Sequence, residues 1–122
     1  MQEVSMLPTF PLNTVEQVES FNNLLNDENV WRQFINKISR IGGEGVPKNV
    51  RNIMSTIFGY EVAQLYTWTG QKKTLSLKKN RISDAIIASL LKNSKVTITE
   101  IESCMQEWLR RSGDRLRALL KK

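Results

Sequence analysis

Apolar residues recur along most of this 122-residue chain at the three- and four-residue spacing of an amphipathic helix. The pattern starts after Pro8 and Pro11, which favour an extended lead-in over residues 1–12 because proline fixes φ and lacks a backbone donor. Breaks at polar and glycine residues divide the rest into five or six helices, and no alternating pattern typical of strands is present. The sequence therefore predicts an all-α fold with a single helical domain over residues 13–122. The apolar positions expected to face its core include Val18, Phe21, Leu24, Trp31, Phe34, Ile38, Val50, Ile53, Ile57, Val62, Ile82, Ile86, Ile101, Met105, Trp108 and Leu109.

Several polar and glycine residues mark helix ends. Asn13 or Thr14 can cap the first helix, with Glu16 or Gln17 three residues on in a capping box. Gly42-Gly43 is expected to stop the second helix, because glycine adopts the left-handed C-terminal conformation at little cost.

Two later stretches interrupt the helical pattern. Residues 67–76 lack a helical period and are predicted to form a loop. Gly113 lies inside the last helix, where glycine costs about 1 kcal/mol relative to alanine. It therefore predicts a bend, an end or the close approach of another helix.

The last helix is predicted to be the longest, with one apolar face and one cationic face. At about 100° per residue, Trp108 and Ser112 fall on the inner face. The basic residues fall on the outer side or flank it, and they are Arg110, Arg111, Arg115, Arg117, Lys121 and Lys122.

Charge is distributed unevenly along the chain. Residues 1–61 contain five bases and seven acids, a net of −2, whereas residues 62–122 contain thirteen bases and five acids, a net of +8. A basic half-chain favours an anionic partner, and nucleic acid is the commonest one because cations displace counterions from phosphates. The candidate contact residues in the last helix are Arg110, Arg111, Arg115, Arg117 and Lys121; a plainly solvated face is the alternative.

A second basic cluster surrounds the predicted loop and the start of the fifth helix. Cations before a helix N terminus oppose the helix dipole, so helix stability does not explain them. They are candidate phosphate contacts, and a contribution to solubility alone is the alternative. The cluster consists of Lys72, Lys73, Lys78, Lys79 and Arg81.

The aromatic residues have two interpretations. Tyr66 and Trp68 beside the lysines could stack on the bases of a single strand, but we favour a role in anchoring the loop to the core. Trp31 and Trp108 lie on apolar helix faces and are predicted core residues. Cys104 is expected to be inert packing.

The residue types that are missing exclude most catalytic chemistry. The chain has no histidine and a single cysteine, so it lacks the usual general base, the usual metal ligands and any disulfide. We expect no enzyme activity, no cofactor and no metal. No apolar stretch is long enough to span a membrane and no secretory signal is evident, so the expected location is the nucleus or the cytoplasm.

Several segments together resemble one known family. They are Phe10 to Thr14, Ser39 to Gly43, Tyr66 to Gly70, and Trp108 to Arg110 with Arg115. Their order and spacing resemble the arthropod domain-of-unknown-function family number forty-eight-oh-six. The resemblance implies a domain that commonly ends larger nuclear or transposon-linked proteins, and it brings no catalytic residues.

A fainter similarity is to the helical BEN domain of chromatin proteins, whose order of helices and basic last helix resemble residues 53–117. In that group the last helix and the nearby loops meet DNA, while other members bind proteins. The resemblance implies Arg110, Arg111, Arg115 and Arg117 as contact residues.

These observations predict a non-enzymatic nuclear interaction module that binds duplex DNA or chromatin through its basic C-terminal half. The alternative is a homo- or hetero-oligomerisation module. In that case the acids Glu16, Glu19, Asp27 and Glu28 of one chain would pair head-to-tail with the bases of another.

Overall fold

Helices dominate the structure. The computed structural model describes residues 4–71, 73–93 and 95–120, and for residues 115–120 it describes the backbone only. Within these ranges the chain forms six helices and one short parallel sheet, which confirms the predicted helical architecture. In chain order the elements are α1 (Val15–Leu24), α2 (Glu28–Ser39), α3 (Gly45–Ile57), α4 (Tyr60–Ala63), β1 (Tyr66–Thr67), β2 (Leu75–Ser76), α5 (Arg81–Leu90) and α6 (Ile98–Leu120).

The start of α1 confirms the predicted capping box, with Thr14 as the cap. The hydroxyl of Thr14 accepts a hydrogen bond from the N–H of Gln17 at 3.1 Å, and the Gln17 side chain accepts one from the N–H of Thr14 at 3.2 Å. Asp27 caps α2 in the same way and accepts from the N–H of Asn29 at 2.8 Å. These side chains satisfy backbone donors that a helix leaves unpaired in its first turn.

The N-terminal segment contributes to the core. Leu12 is 1% exposed, and its N–H donates to the carbonyl of Ile57 at 2.7 Å while its carbonyl accepts from the N–H of Gly59 at 2.9 Å. Phe10 packs edge-on against Phe21 with 5.5 Å between ring centroids. The final residues of the predicted lead-in therefore join α1 to the C-terminal end of α3.

The inner face of α6 closes the core against α3 and α4. Trp108 is 4% exposed, as predicted, and its indole Nε1 donates to the Ser55 hydroxyl at 3.2 Å. Its ring stacks near Tyr60, and Ser112 is buried with its hydroxyl bonded to the Trp108 carbonyl at 2.9 Å. The other pairing that organises the bundle is that of α2 with α5.

Gly42-Gly43 acts differently from the prediction. The α2 helix ends at Ser39, ahead of the pair, and the glycine with a positive φ is Gly45, at 81°. A Cβ at Gly43 would lie 2.6 Å from the backbone nitrogen of Asn49. The constraint at Gly43 is therefore steric, because the chain passes directly over the first turns of α3.

The expectation for Leu24 is wrong, and two of the three alternatives for Gly113 are excluded. Leu24 is 45% exposed, so it lies outside the core face of α1. Gly113 neither ends α6 nor lies against another element, since α6 continues to Leu120 and a Cβ there would meet nothing within 4 Å.

Candidate nucleic-acid interface

The segment predicted as a loop contains a small sheet that fixes its shape. The N–H groups of Leu75 and Leu77 donate to the carbonyls of Leu65 and Thr67, each at 2.9 Å, so β1 and β2 run parallel. Between the strands, the Thr67 hydroxyl accepts from the N–H of Gly70 at 2.9 Å. Two-residue strands carry no periodic signal, so the sequence prediction missed them.

Tyr66 and Trp68 anchor this loop, which confirms the favoured interpretation of the two aromatics. Tyr66 is 2% exposed and Trp68 is 8% exposed, so neither ring offers a face for stacking on a base. The phenol of Tyr66 donates to the Glu19 carboxylate at 2.8 Å. Burial, together with that carboxylate, raises the pKa of Tyr66 well above its ordinary value.

Three lysines of the second basic cluster lie on the surface of this scaffold. Lys73, Lys78 and Lys79, here termed the loop lysines, are all exposed, and they make no ion pair within the described part of the chain. Lys73 has a φ of 65°, in the left-handed region. On either side of Lys78 and Lys79 lie the buried residues Leu77 and Asn80, which hold the lysines in place.

Arg81, the fifth member of that cluster, is bound into the fold. Its guanidinium lies 4.8 Å from the centroid of the Trp31 ring, and its Nε donates to the Leu25 carbonyl at 3.2 Å. Trp31 is only partly buried, which corrects its predicted place in the core. Arg81 therefore covers the exposed side of Trp31 and is less available to a ligand than the loop lysines.

The N terminus of α5 offers little to an anion, although two lysines precede it. The N–H of Arg81 donates to the Asn22 side chain at 2.8 Å, and the N–H of Ile82 donates to the Asn80 side chain at 2.9 Å. Any phosphate contact in this region depends on the lysine side chains themselves.

Along α6, the described arginines are paired with acids. Arg110 and Arg111 both donate to the Glu107 carboxylate, at 2.6 and 2.9 Å, and Arg110 also reaches Asp114 at 3.3 Å. We term these four residues the α6 charge cluster. All of its ion-pairing side chains are at least 44% exposed.

The pKa values of the cluster follow from these contacts. Hydrogen bonds from Arg110 and Arg111 lower the pKa of Glu107, and the bond to Glu107 in turn raises the pKa of Arg110. The spacings of three and four residues are those at which helical side chains meet, so the sequence contained the signal for this pairing.

The charge of α6 is therefore less uniform than its arginines suggest. From Ile98 to Asp114 there are two arginines and four acids, a net of −2. The basic run begins at Arg115. The side chains of Arg115 and Arg117 lie outside the described residues, as do Lys72, Lys121 and Lys122.

Strand β1 and the turn that follows it lie beside α6. A cavity of about 340 Å³ is lined by Thr67, Trp68 and Gln71 on one side and by Gln106, Leu109 and Arg110 on the other. The N–H of Lys78 donates to the Trp68 carbonyl at 3.0 Å. Lys78 is thus bonded through its backbone to a residue that lines the same cavity as Arg110, an arrangement that the sequence did not reveal.

Elements of the two half-chains pack against each other. Glu19 on α1 accepts a hydrogen bond from Tyr66 on β1, and Arg81 donates to the Leu25 carbonyl between α1 and α2. Head-to-tail pairing between copies stays a prediction.

A family model for a domain of unknown function, DUF4806, matches residues 7–108. The chain belongs to the DUF4806 family. The predicted resemblance is thereby confirmed. No curated protein and no solved structure matches the chain.

The DUF4806 match covers only one of the two basic regions. It includes the loop lysines and Arg81, and it ends at Trp108, before Arg110 and the basic run that follows.

The described part of the chain shows little that suggests cofactor chemistry. It contains no group of three or more Cys, Asp or Glu side chains able to hold a metal ion. No described helix combines the length and apolarity needed to cross a membrane. Cys104 is partly buried, and its pKa is raised by that burial and by the nearby Glu100 charge, which disfavours the reactive thiolate.

Proposed function

We propose that this domain is a non-catalytic nuclear module that binds duplex DNA or chromatin through phosphate contacts. The observation that carries the proposal is the group of three exposed loop lysines without ion pairs, beside a small hydrogen-bonded sheet. Unpaired cations on a rigid scaffold gain affinity by displacing counterions, and they read the backbone without selecting a base sequence.

The proposal gives the loop lysines the leading role. An arginine of the α6 charge cluster has to exchange Glu107 for a phosphate, whereas a loop lysine exchanges only water. Such exposed ion pairs contribute little because water screens them, so a phosphate can displace them. Arg115, Arg117 and Lys121 add to the basic run by sequence.

Binding to a short labelled duplex, followed by fluorescence anisotropy over a range of salt concentrations, tests the proposal. Log affinity should fall linearly with log salt, by about 0.9 for each phosphate contacted. Replacing Lys73, Lys78 and Lys79 with glutamine should weaken binding and flatten this slope. The matched control replaces Lys48, Lys92 and Lys95, which are equally exposed and carry the same total charge.

A second variant tests the arginines of the last helix. Replacing Arg110, Arg111, Arg115 and Arg117 with glutamine keeps the helix propensity and removes four charges. If the parent protein binds no duplex even at low salt, or if both variants bind as the parent does, the nucleic-acid proposal fails. Static light scattering then decides whether the domain is an oligomerisation module, and loss of self-association in the arginine variant would identify the surface.

A further inference from the structure

A groove between α3 and α6 lies outside the loop region and shares only Arg111 with the proposed DNA surface. It encloses a cavity of about 250 Å³. Pro47 and Arg51 line it from α3, and Cys104, Trp108 and Arg111 line it from α6. We refer to it as the α3–α6 groove.

The floor of the groove is apolar and held in place. The centroid of the Trp108 ring lies 6.3 Å from that of Phe58 and 6.5 Å from that of Tyr60, and its indole nitrogen donates to the Ser55 hydroxyl. The cavity can therefore accept an apolar group without first reorganising its base, which lowers the entropic cost of binding.

The volume of the cavity limits what fits. An apolar cavity of about 150 Å³ is enough to bind benzene, whereas pockets for drug-sized ligands measure roughly 300–1,000 Å³. A cavity of about 250 Å³ thus suits one aromatic or leucine side chain.

The rim of the groove is cationic. Arg51 is exposed and makes no ion pair within the described residues, and it stands across the groove from Arg111. The one acid on the rim, Glu107, already accepts hydrogen bonds from Arg110 and Arg111, so its charge is compensated. The lining therefore has a net charge of +1, from two arginines and one glutamate.

We propose that the α3–α6 groove binds an acidic segment of a partner protein, which inserts one aromatic or leucine side chain among Pro47, Cys104 and Trp108 and places neighbouring carboxylates beside Arg51 and Arg111. Arginine suits this contact because its guanidinium pairs with a carboxylate through two parallel hydrogen bonds. A nucleic-acid backbone would use the two cations but would leave the apolar floor empty, so the combination favours a peptide.

An array of heptapeptides provides the probe. Each peptide carries Phe, Leu or Trp at its centre and Asp or Ser in every arrangement around it, and a parallel set carries Ala at the centre. Peptides that combine an apolar centre with Asp should bind, and the Ala-centred and all-Ser peptides should not. If no peptide binds, or if Ala-centred peptides bind equally well, the proposal is overturned.

Charge reversal on α3 locates the site. With the tightest peptide of the array, Arg51→Glu should weaken binding by about tenfold or more. The matched control is Lys48→Glu, an exposed cation on the same helix that does not line the groove. Equal losses in the two variants would mean unspecific attraction to a basic protein and would overturn the proposal.

Cys104 supplies an independent readout because it lines the groove and is the only cysteine of the chain. The bound peptide should slow its alkylation by N-ethylmaleimide at pH 8.5 and should shift the indole N–H resonance of Trp108. Unchanged alkylation and an unshifted resonance at saturating peptide would contradict binding at this place.

Duplex DNA added as competitor separates this inference from the proposed function. The peptide should remain bound when DNA is added, and the DNA affinity of Arg51→Glu should match that of Lys48→Glu. If DNA alone protects Cys104 and displaces the peptide, the groove belongs to nucleic acid and the peptide proposal fails. Failure of DNA binding leaves the inference intact, because Arg51 belongs to neither basic region.

Discussion

The two basic regions of this domain differ in what their cations contact. The loop lysines are exposed beside a small, hydrogen-bonded sheet and have no acidic partners among the described residues. Arg110 and Arg111 both pair with Glu107, and Arg110 also pairs with Asp114. Each of these cations counts equally in a sum of charges along the sequence. Their readiness to bind an anion differs, because one region exchanges water and the other exchanges an existing ion pair.

The tryptophans near the two regions differ in burial. Trp108, below the α6 charge cluster, is a core residue, whereas Trp31 is partly buried and covered by the Arg81 guanidinium. One cation of the loop region is thus used to complete the fold, and the others remain on the surface. Sequence position alone does not distinguish the structural role of Arg81 from the surface role of the loop lysines.

The largest effect that we expect is a difference in stability between variants of the two tryptophans. Trp108→Ala should lower the free energy of unfolding by about 3–5 kcal/mol, because it empties a buried aromatic site. Trp31→Ala should cost about 1–2 kcal/mol, from a partly buried ring and its contact with Arg81. Urea unfolding followed by far-ultraviolet circular dichroism measures both losses. Equal losses would show that Trp31 and Trp108 contribute equally to the core, contrary to this prediction.

Local signals account for what the sequence predicted correctly. Helical periodicity placed Trp108 and Ser112 on the inner face of α6, and cap spacing identified Thr14. The pairing of Glu107 with Arg110 was also within reach, since it needs only a helix and a spacing of three.

Contacts between distant segments account for what the sequence could not predict. The guanidinium of Arg81 meets a ring fifty positions earlier in the chain, at Trp31. The steric reason for Gly43 depends on where α3 passes, and the α3–α6 groove depends on the packing of two helices. Such contacts are set by the tertiary fold and leave no periodic trace in the sequence.

The second prediction compares the two basic regions directly in DNA binding. Lys78→Gln with Lys79→Gln and Arg110→Gln with Arg111→Gln each remove two charges, so long-range attraction falls equally. If the lysines contact phosphates, their variant should flatten the salt slope by about 2, against less than about 1 for the arginine variant. A larger change in the salt slope for the arginine variant would show that Arg110 and Arg111 leave Glu107 for phosphates. The arginines would then be the main DNA contacts.

A third prediction concerns the structural use of Arg81. Arg81→Gln should cost about 1–2 kcal/mol of stability, through the lost bond to the Leu25 carbonyl and the lost contact with Trp31. Lys79→Gln, two positions earlier on the surface, should stay within about 0.5 kcal/mol of the parent. Urea unfolding gives both values. A destabilised Lys79→Gln variant, or an unaffected Arg81→Gln variant, would mean that the two cations have been assigned the wrong roles.

The smallest effect that we expect is the contribution of Glu107 to the pH dependence of stability. Its folded-state pKa is held below the ordinary value by the two guanidinium groups. Its contribution to stability is therefore present above the unfolded carboxyl pKa of about 4.3 and lost as the pH falls through the lower folded value. Glu107→Gln should leave Tm nearly unchanged at neutral pH, because exposed ion pairs contribute little, and should reduce the fall in Tm on acidification below about pH 4.

The matched control for this variant is Glu16→Gln, an exposed carboxylate on α1 that makes no ion pair within the described residues. Thermal unfolding at a series of pH values compares the parent, Glu107→Gln and Glu16→Gln.

Glu107→Gln also tests the difference between the two basic regions in DNA binding, because it releases Arg110 and Arg111 and removes one negative charge. Its DNA affinity at low salt should exceed that of Glu16→Gln, which loses the same charge far from the cluster along the chain. If the two variants bind equally, pairing with Glu107 does not restrain the arginines, and the difference between the two basic regions has to arise from the loop alone.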